Sequence, residues 1–250
     1  MKKLLLLLVL IANLNNTGFS QENSLLTQAN SFDVKLNTEE ALKLYDQFLI
    51  IEPKNMNVLL RCVELNIFLG NVQKELNLKV PFYEKAKSYA EKALIVDSLS
   101  SLSNYSMALA MGCLIDFMPL KEKGQASRQI YDFATKSMQA DSNYTKAIHL
   151  LATWNYEIAN LNPAAKTALK FFFKGIPKAT EEEAIYLYEK ARKLDPSMIS
   201  NNVHLSEVYK KIGRADLSIE ILQATIRLAP KSIEDVEFKK KAKALLDSLK

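Results

Sequence analysis

The chain has 250 residues, of which 48% are hydrophobic, 24% charged and 9% aromatic, with a formal charge of +5. That profile supports a packed core and excludes a disordered chain, which carries fewer branched and aromatic residues. Six glycines and seven prolines are too few turn formers for an all-β sandwich, and the abundance of Leu and Ala favours helices.

The N-terminus reads as an address. Lys2 and Lys3 precede an apolar run from Leu4 to Ala12, then a polar stretch ending in Gly18-Phe19-Ser20-Gln21. This is the pattern of a secretory signal over residues 1–20, cut after Ser20, and it predicts an exported protein, periplasmic or secreted. The run is too short to span a bilayer, which needs roughly 20 apolar residues. Without Lys2 and Lys3 the 33 basic residues fall to 31 against 28 acidic, a mature charge of +3. A balance so close to neutral gives no electrostatic footprint for nucleic acid. Residues 21–37 are expected to form a flexible lead-in, and residues 38–250 a single helical domain.

Apolar residues at helical spacing predict helices near 38–51, 56–70, 82–96, 100–115, 126–140 and 143–160. An extra helix near 163–173 comes next, then helices near 180–194, 198–212 and 215–228, and a capping helix near 233–249. A pattern at i, i+4, i+7 and i+12 recurs through them. It reads Ala41, Tyr45, Phe48, Pro53; Ala86, Ala90, Ala93, Ser98; Ile130, Ala134, Ser137, Ser142; Ala184, Tyr188, Ala191, Pro196; and Ser218, Leu222, Thr225, Pro230. Spacings of four and three put the first three residues on one helical face. Small residues let helix backbones approach, and Pro at the turn stops the helix continuing. Asp97, Asp141 and Asp195 precede three of the turns and are expected to cap the helices that follow.

This pattern resembles the tetratricopeptide repeat. The last copy carries Leu205, Ser206, Tyr209, Gly213, Ser218, Leu222, Thr225 and Pro230 at signature positions, with Ser206, Ser218 and Thr225 where the family places Gly or Ala. Pro196 to Pro230 spans 34 residues, the normal period, whereas the earlier spacings are 45, 44 and 54. The excess falls between the two helices of each pair, as a longer loop or helix end. The resemblance implies an all-α, right-handed solenoid of antiparallel helix pairs with a capping helix.

A narrower resemblance, over roughly Tyr83 to Leu249, is to the regulator of microtubule dynamics family. It rests on Ala147-Ile148-His149-Leu150-Leu151-Ala152-Thr153-Trp154-Asn155-Tyr156, on the basic-aromatic insert after it, and on Tyr188-Glu189-Lys190-Ala191 with Leu194-Asp195-Pro196. Glu234-Asp235 and Ala244-Leu245-Leu246 in the tail add to it. For eukaryotic members it implies association with microtubules, or tethering of mitochondria and movement of lipids at contact sites. For an exported relative only the fold and a ligand groove carry over.

Within the repeat frame, one stripe of each first helix lines a concave groove. Its candidate binding residues are Leu60, Leu102, Tyr105, Leu109, His149, Thr153, Tyr156, Val203 and Glu207. With so many apolar members and few charges, the stripe suits a hydrophobic peptide or an acyl chain. The equal alternative is that neighbouring helices fill the groove. The expected partner is a protein or peptide, with a lipid or other hydrophobic ligand as the alternative.

No catalytic constellation accompanies the groove. There is neither a Walker sequence nor a dinucleotide fingerprint, and His149 and His204 have no ligand-spaced partner. The expected activity is non-enzymatic, without cofactor or metal. Cys62 and Cys113 lie in apolar helical runs and read as small buried hydrophobes, although an oxidising compartment would permit a bridge. The insert from Asn160 to Ala179 holds Lys166, Lys170 and Lys174 at four-residue spacing beside Phe171 and Phe172. Such a basic amphipathic helix suits weak contact with an anionic membrane surface. Otherwise its aromatics pack on the solenoid and its lysines are merely solvated.

Overall fold

The computed structural model describes residues 24–172 and 177–249. The expected signal, residues 1–20, lies outside them. Helix α1 covers residues 24–34; α2 (Thr38–Ile51), α3 (Met56–Asn71), α4 (Leu76–Val96) and α5 (Ser101–Leu114) follow. A 3-10 turn, Ile115–Phe117, leads to α6 (Leu120–Ala140) and α7 (Thr145–Ala159). Then come α8 (Pro163–Phe172), α9 (Glu181–Leu194), α10 (Ile199–Lys211), α11 (Ala215–Thr225) and α12 (Ile233–Asp247).

Consecutive helices pack as antiparallel pairs, α3 on α4, α5 on α6, α7 on α9 and α10 on α11, and each pair stacks on the next. The repeating pattern is the reason. Ala86, Ala90 and Ala93 of α4 are wholly buried, as are Ala184 and Ala191 of α9, where Cβ is the largest group that fits between neighbouring backbones. Larger members fill the layers between them. Phe48 and Tyr188 are each 1% exposed, and burying such rings contributes roughly 1.5–3 kcal/mol apiece. At Gly70 the packing is tighter still, because a Cβ there would lie 2.4 Å from Cε1 of Tyr83.

Polar groups lock the turns. The side chains of Asp97, Asp141 and Asp195 accept from backbone N–H groups two residues on, at 2.9 Å in each case. They close the turns and do not cap the next helices, whose N-caps are Ser100, Tyr144 and Met198. Six residues after the turn, the buried amides of Asn104 and Asn202 donate to the carbonyls of Ser98 and Pro196. The same lock therefore serves two repeats.

One expectation requires correction. Residues 24–34 are not a flexible lead-in but the first helix of a further pair. Ala29 is fully buried, Leu25, Leu26 and Phe32 pack on the core, and Asn30 accepts from the Tyr45 hydroxyl at 2.7 Å. Of the two forms expected for the extra length of the repeats, loop or helix end, the structure shows mostly helix. α4 starts at Leu76 with Pro81 inside it, and α6 at Leu120, each six residues before the predicted start. In the third repeat the excess is α8. Among the described residues, no helix is long and apolar enough to cross a membrane.

The expected capping helix is present as α12. α12 buries Ala242 and Leu246 against Ile199, Val203 and Leu222. Lys239 donates to the Leu228 carbonyl, and Lys241 reaches Glu207 on α10 at 2.9 Å.

Candidate functional site

The curvature of the stack brings α3, α5, α7, α10 and the start of α12 around one cavity of about 520 Å³. One part of its wall is apolar, formed by Tyr105, Leu109, Leu150, Met198 and Phe238. The other part is ionic, and Arg61 of α3 organises it. Its guanidinium donates twice to Asp33 of α1, at 2.7 and 2.8 Å, and once to Glu64 at 3.0 Å. Glu234, in the first turn of α12, stands 3.6 Å away. Lys146 of α7 donates to the other oxygen of Glu64. Burial by itself would lower the guanidinium pKa; the surrounding carboxylates Asp33, Glu234 and Glu64 reverse that and hold it raised. One arginine thus ties the first helix, the third and the cap to one another.

An aromatic ladder crosses the floor. His149 and His204 stack with ring centroids 5.2 Å apart, and Phe238 meets His204 edge-on at 5.4 Å. Nδ1 of His149 lies 3.1 Å from Oδ1 of Asn201, whose amide in turn donates to the Tyr188 carbonyl. Burial pushes His149 down to about 4, only partly offset by Asn201. His204 is held well below its ordinary value, by burial first and then by His149 and Lys241. Both imidazoles are neutral at pH 7.

The predicted groove residues divide. Tyr105, Leu109, His149 and Thr153 line the cavity. Leu60 is buried beside it with Tyr105 and Ala147, and Leu102 packs on the same small cluster. Val203 is fully buried in the core beneath the cap, so it belongs to the cap interface. Glu207 is engaged by Lys241, and Tyr156 lies under Lys211, whose ammonium is 5.1 Å from the ring centre. Val203, Tyr156 and Glu207 are not among the lining residues. The expectation of few charges also fails, because Arg61, Glu64, Lys146, Asp195, Lys231, Glu234 and Asp235 all contribute to the wall. Arg61 is one position beyond Leu60 and falls outside the predicted stripe. Glu234 and Phe238 belong to the cap, which arrives from the far end of the chain. Their hint in sequence was the spacing of four that puts both on one helix face.

Of the basic insert, Lys166 is exposed on α8. Lys174 lies outside the described residues, as do the side chains of Lys170, Phe171 and Phe172. Trp154 packs between α6 and α7, donating to the Ser127 carbonyl at 2.9 Å and resting 4.7 Å from the Tyr131 ring. Cys62 and Cys113 are both free thiols. Among the described residues, no group of three or more His, Cys, Asp or Glu is placed to hold a metal ion.

Antiparallel pairs, small residues at the crossings, a groove on the first helices and a C-terminal cap define a tetratricopeptide-like helical-repeat protein. A thermophilic TPR protein of Thermus thermophilus shares the architecture with a TM-score of 0.66 at 13% identity, over 90% of this chain and 98% of its own. The pilF protein of Pseudomonas aeruginosa shares it at 0.52 and 12% identity, over 93% and 90%. Within that class the chain belongs to the regulator of microtubule dynamics protein 1-3 family, whose sequence model matches residues 25–250. The match begins at α1, far upstream of Tyr83. Regulator of microtubule dynamics protein 1 of Caenorhabditis elegans is 26% identical over 185 residues, covering 74% of this chain and 80% of its own length. The Mus musculus protein of the same name is 26% identical over 228 residues, covering 90% and 74%.

Proposed function

We propose that this chain is a non-enzymatic helical-repeat scaffold, exported after loss of residues 1–20, whose central cavity receives a segment of a protein partner. The cavity carries the proposal. Its volume of about 520 Å³ falls in the range of ligand sites, roughly 300–1,000 Å³, and suits a few side chains of a docked segment. Its wall carries both charged and apolar side chains, which suits an amphipathic segment. Random-peptide display against the full chain supplies probes, and fluorescence polarisation measures them. Leu109→Trp places an indole in the cavity and should weaken the selected peptides by about tenfold or more. Unchanged affinity in a Leu109→Trp protein of native helicity would refute binding there.

The apolar wall of Leu109, Leu150, Met198 and Phe238 favours a second reading, a hydrophobic ligand such as an acyl chain. Mass spectrometry of an organic extract of the purified protein separates the two. A lipid retained at one per chain, and lost in Leu109→Trp, would replace the peptide. Export is tested by the mature N-terminus in envelope fractions, which should be Gln21; an intact Met1 would remove it.

A further inference from the structure

The polar groups of the cavity are unequally satisfied, and the inequality specifies the occupant. Every cation on the wall is already engaged. Arg61 gives its hydrogen bonds to Asp33 and Glu64, Lys146 gives one to Glu64, and Lys231 donates to Ser197 Oγ at 2.8 Å. Acceptors are not. Both carboxylate oxygens of Glu234 are buried and accept no hydrogen bond from the described residues, and Nδ1 of His204 is likewise buried without a hydrogen-bond partner. Arg61 stands 3.6 Å from one of those oxygens, close enough for attraction but too far to donate. A buried carboxylate left with lone pairs unused is costly, and so is a buried ring nitrogen. Asp195 and Asp235, by contrast, are taken up by the N–H groups of Ser197 and Lys231.

The two unsatisfied acceptors line the same cavity and are linked through Phe238. Glu234 and Phe238 are one turn apart on α12, and Phe238 meets the His204 ring edge-on. Charge points the same way. With Asp33 behind Arg61, five carboxylates face three cations around this cavity, in a chain whose overall charge is +5. A phosphate or carboxylate ligand would find each cation already paired and Glu234 repelling it.

We infer that the cavity takes the side chain of an arginine or lysine from the docked segment, its N–H groups donating to Glu234 and to Nδ1 of His204. This rests on the peptide-binding reading and names the residue class it recognises. The aliphatic stem lies along Phe238 and Leu109 and the flanking apolar residues of the segment on Leu150 and Met198, as cationic side chains commonly bury their stems. His204 is neutral, so it can accept, and its stack on His149 holds the ring in place.

The test uses the full chain and three capped peptides, acetyl-Ala-Leu-X-Leu-Ala-amide with X as arginine, norleucine or glutamate, in polarisation or calorimetric titrations. The arginine peptide should bind at least about tenfold more tightly than the norleucine peptide, the glutamate peptide more weakly than either. Glu234→Gln, isosteric and checked for helicity by circular dichroism, should abolish the preference for arginine while leaving norleucine unchanged. His204→Phe, which keeps the ring stack and removes Nδ1, should reduce it several-fold. Equal binding of the arginine and norleucine peptides, or an arginine preference that survives Glu234→Gln, overturns the inference and leaves peptide binding standing. If the glutamate peptide binds best, the site is anionic-selective and the inference falls. If no peptide binds while phosphatidylcholine vesicles transfer lipid to the protein, peptide binding and the inference fall together.

Discussion

Replacing Arg61 by Met tests whether one side chain ties the two ends of the solenoid. The change keeps an unbranched stem but leaves Asp33, Glu64 and Glu234 with their strongest shared partner removed. Breaking a buried ion pair from one side costs about 3–5 kcal/mol. The four side chains retain between 15% and 27% of their exposure, so water screens part of that cost, and the lower end, about 3 kcal/mol, applies. With a urea slope near 3 kcal/mol per M, the midpoint should fall by about 1 M by circular dichroism. Loss should start at α1, which the Asp33–Arg61 pair attaches to α3. Hydrogen exchange should therefore quicken over residues 24–34 before it does in α9 to α11. Adding Glu234→Gln removes one of the stranded carboxylates and should return about 1 kcal/mol. A midpoint within about 0.3 M of the parent, with exchange in α1 unchanged, would refute the argument.

Gly70→Ala drives a methyl into the buried Tyr83 ring, 2.4 Å from the nearest carbon, and should cost about 1–3 kcal/mol in thermal unfolding despite alanine's better helix propensity; a stabilised variant would contradict the packing. His149 is held at about 4 against an ordinary 6.5, so between those values the unfolded chain binds a proton that the folded chain refuses. Stability from this group is complete above pH 6.5 and is lost as pH falls toward 4, up to about 3 kcal/mol; an NMR titration placing the midpoint of His149 near 6.5 would negate it. Cys62, buried on α3 and with its thiol pushed up by that burial, should resist labelling in the native protein. Both cysteines should label in urea without reductant, and labelling only after reduction would reveal a bridge. Replacing Lys166, Lys170 and Lys174 by Glu should abolish any low-salt flotation with anionic liposomes, since three lysines contribute only about 1 kcal/mol each at such a surface; native protein that does not float leaves these lysines as merely solvated. Flotation that survives the charge reversal would exclude α8 as the contact.

What the amino-acid sequence determined by itself was the repeat and its polarity. Ala41, Tyr45 and Phe48 are buried together, and so are Ala184, Tyr188 and Ala191, because spacings of three and four commit one helix face to a neighbour whatever the rest of the fold does. The same local rule placed Tyr105, Leu109, His149 and Thr153 on the concave side. It could not place Val203, whose stripe position is covered by α12; and although Leu25, Leu26, Ala29 and Phe32 stand at helical spacing, α1 is anchored by partners distant in sequence, Arg61 for Asp33 and Tyr45 for Asn30. α4 likewise runs through Pro81 to begin six residues before the predicted start, its packing on α3 and α5 offsetting the lost hydrogen bond. The acidic end of the cavity was the least legible feature. Arg61 and Glu234 lie 173 positions apart, and no periodicity relates them. Only the accumulated curvature of the stacked pairs brings the cap back to the third helix, and with it the carboxylate that gives the groove its charge.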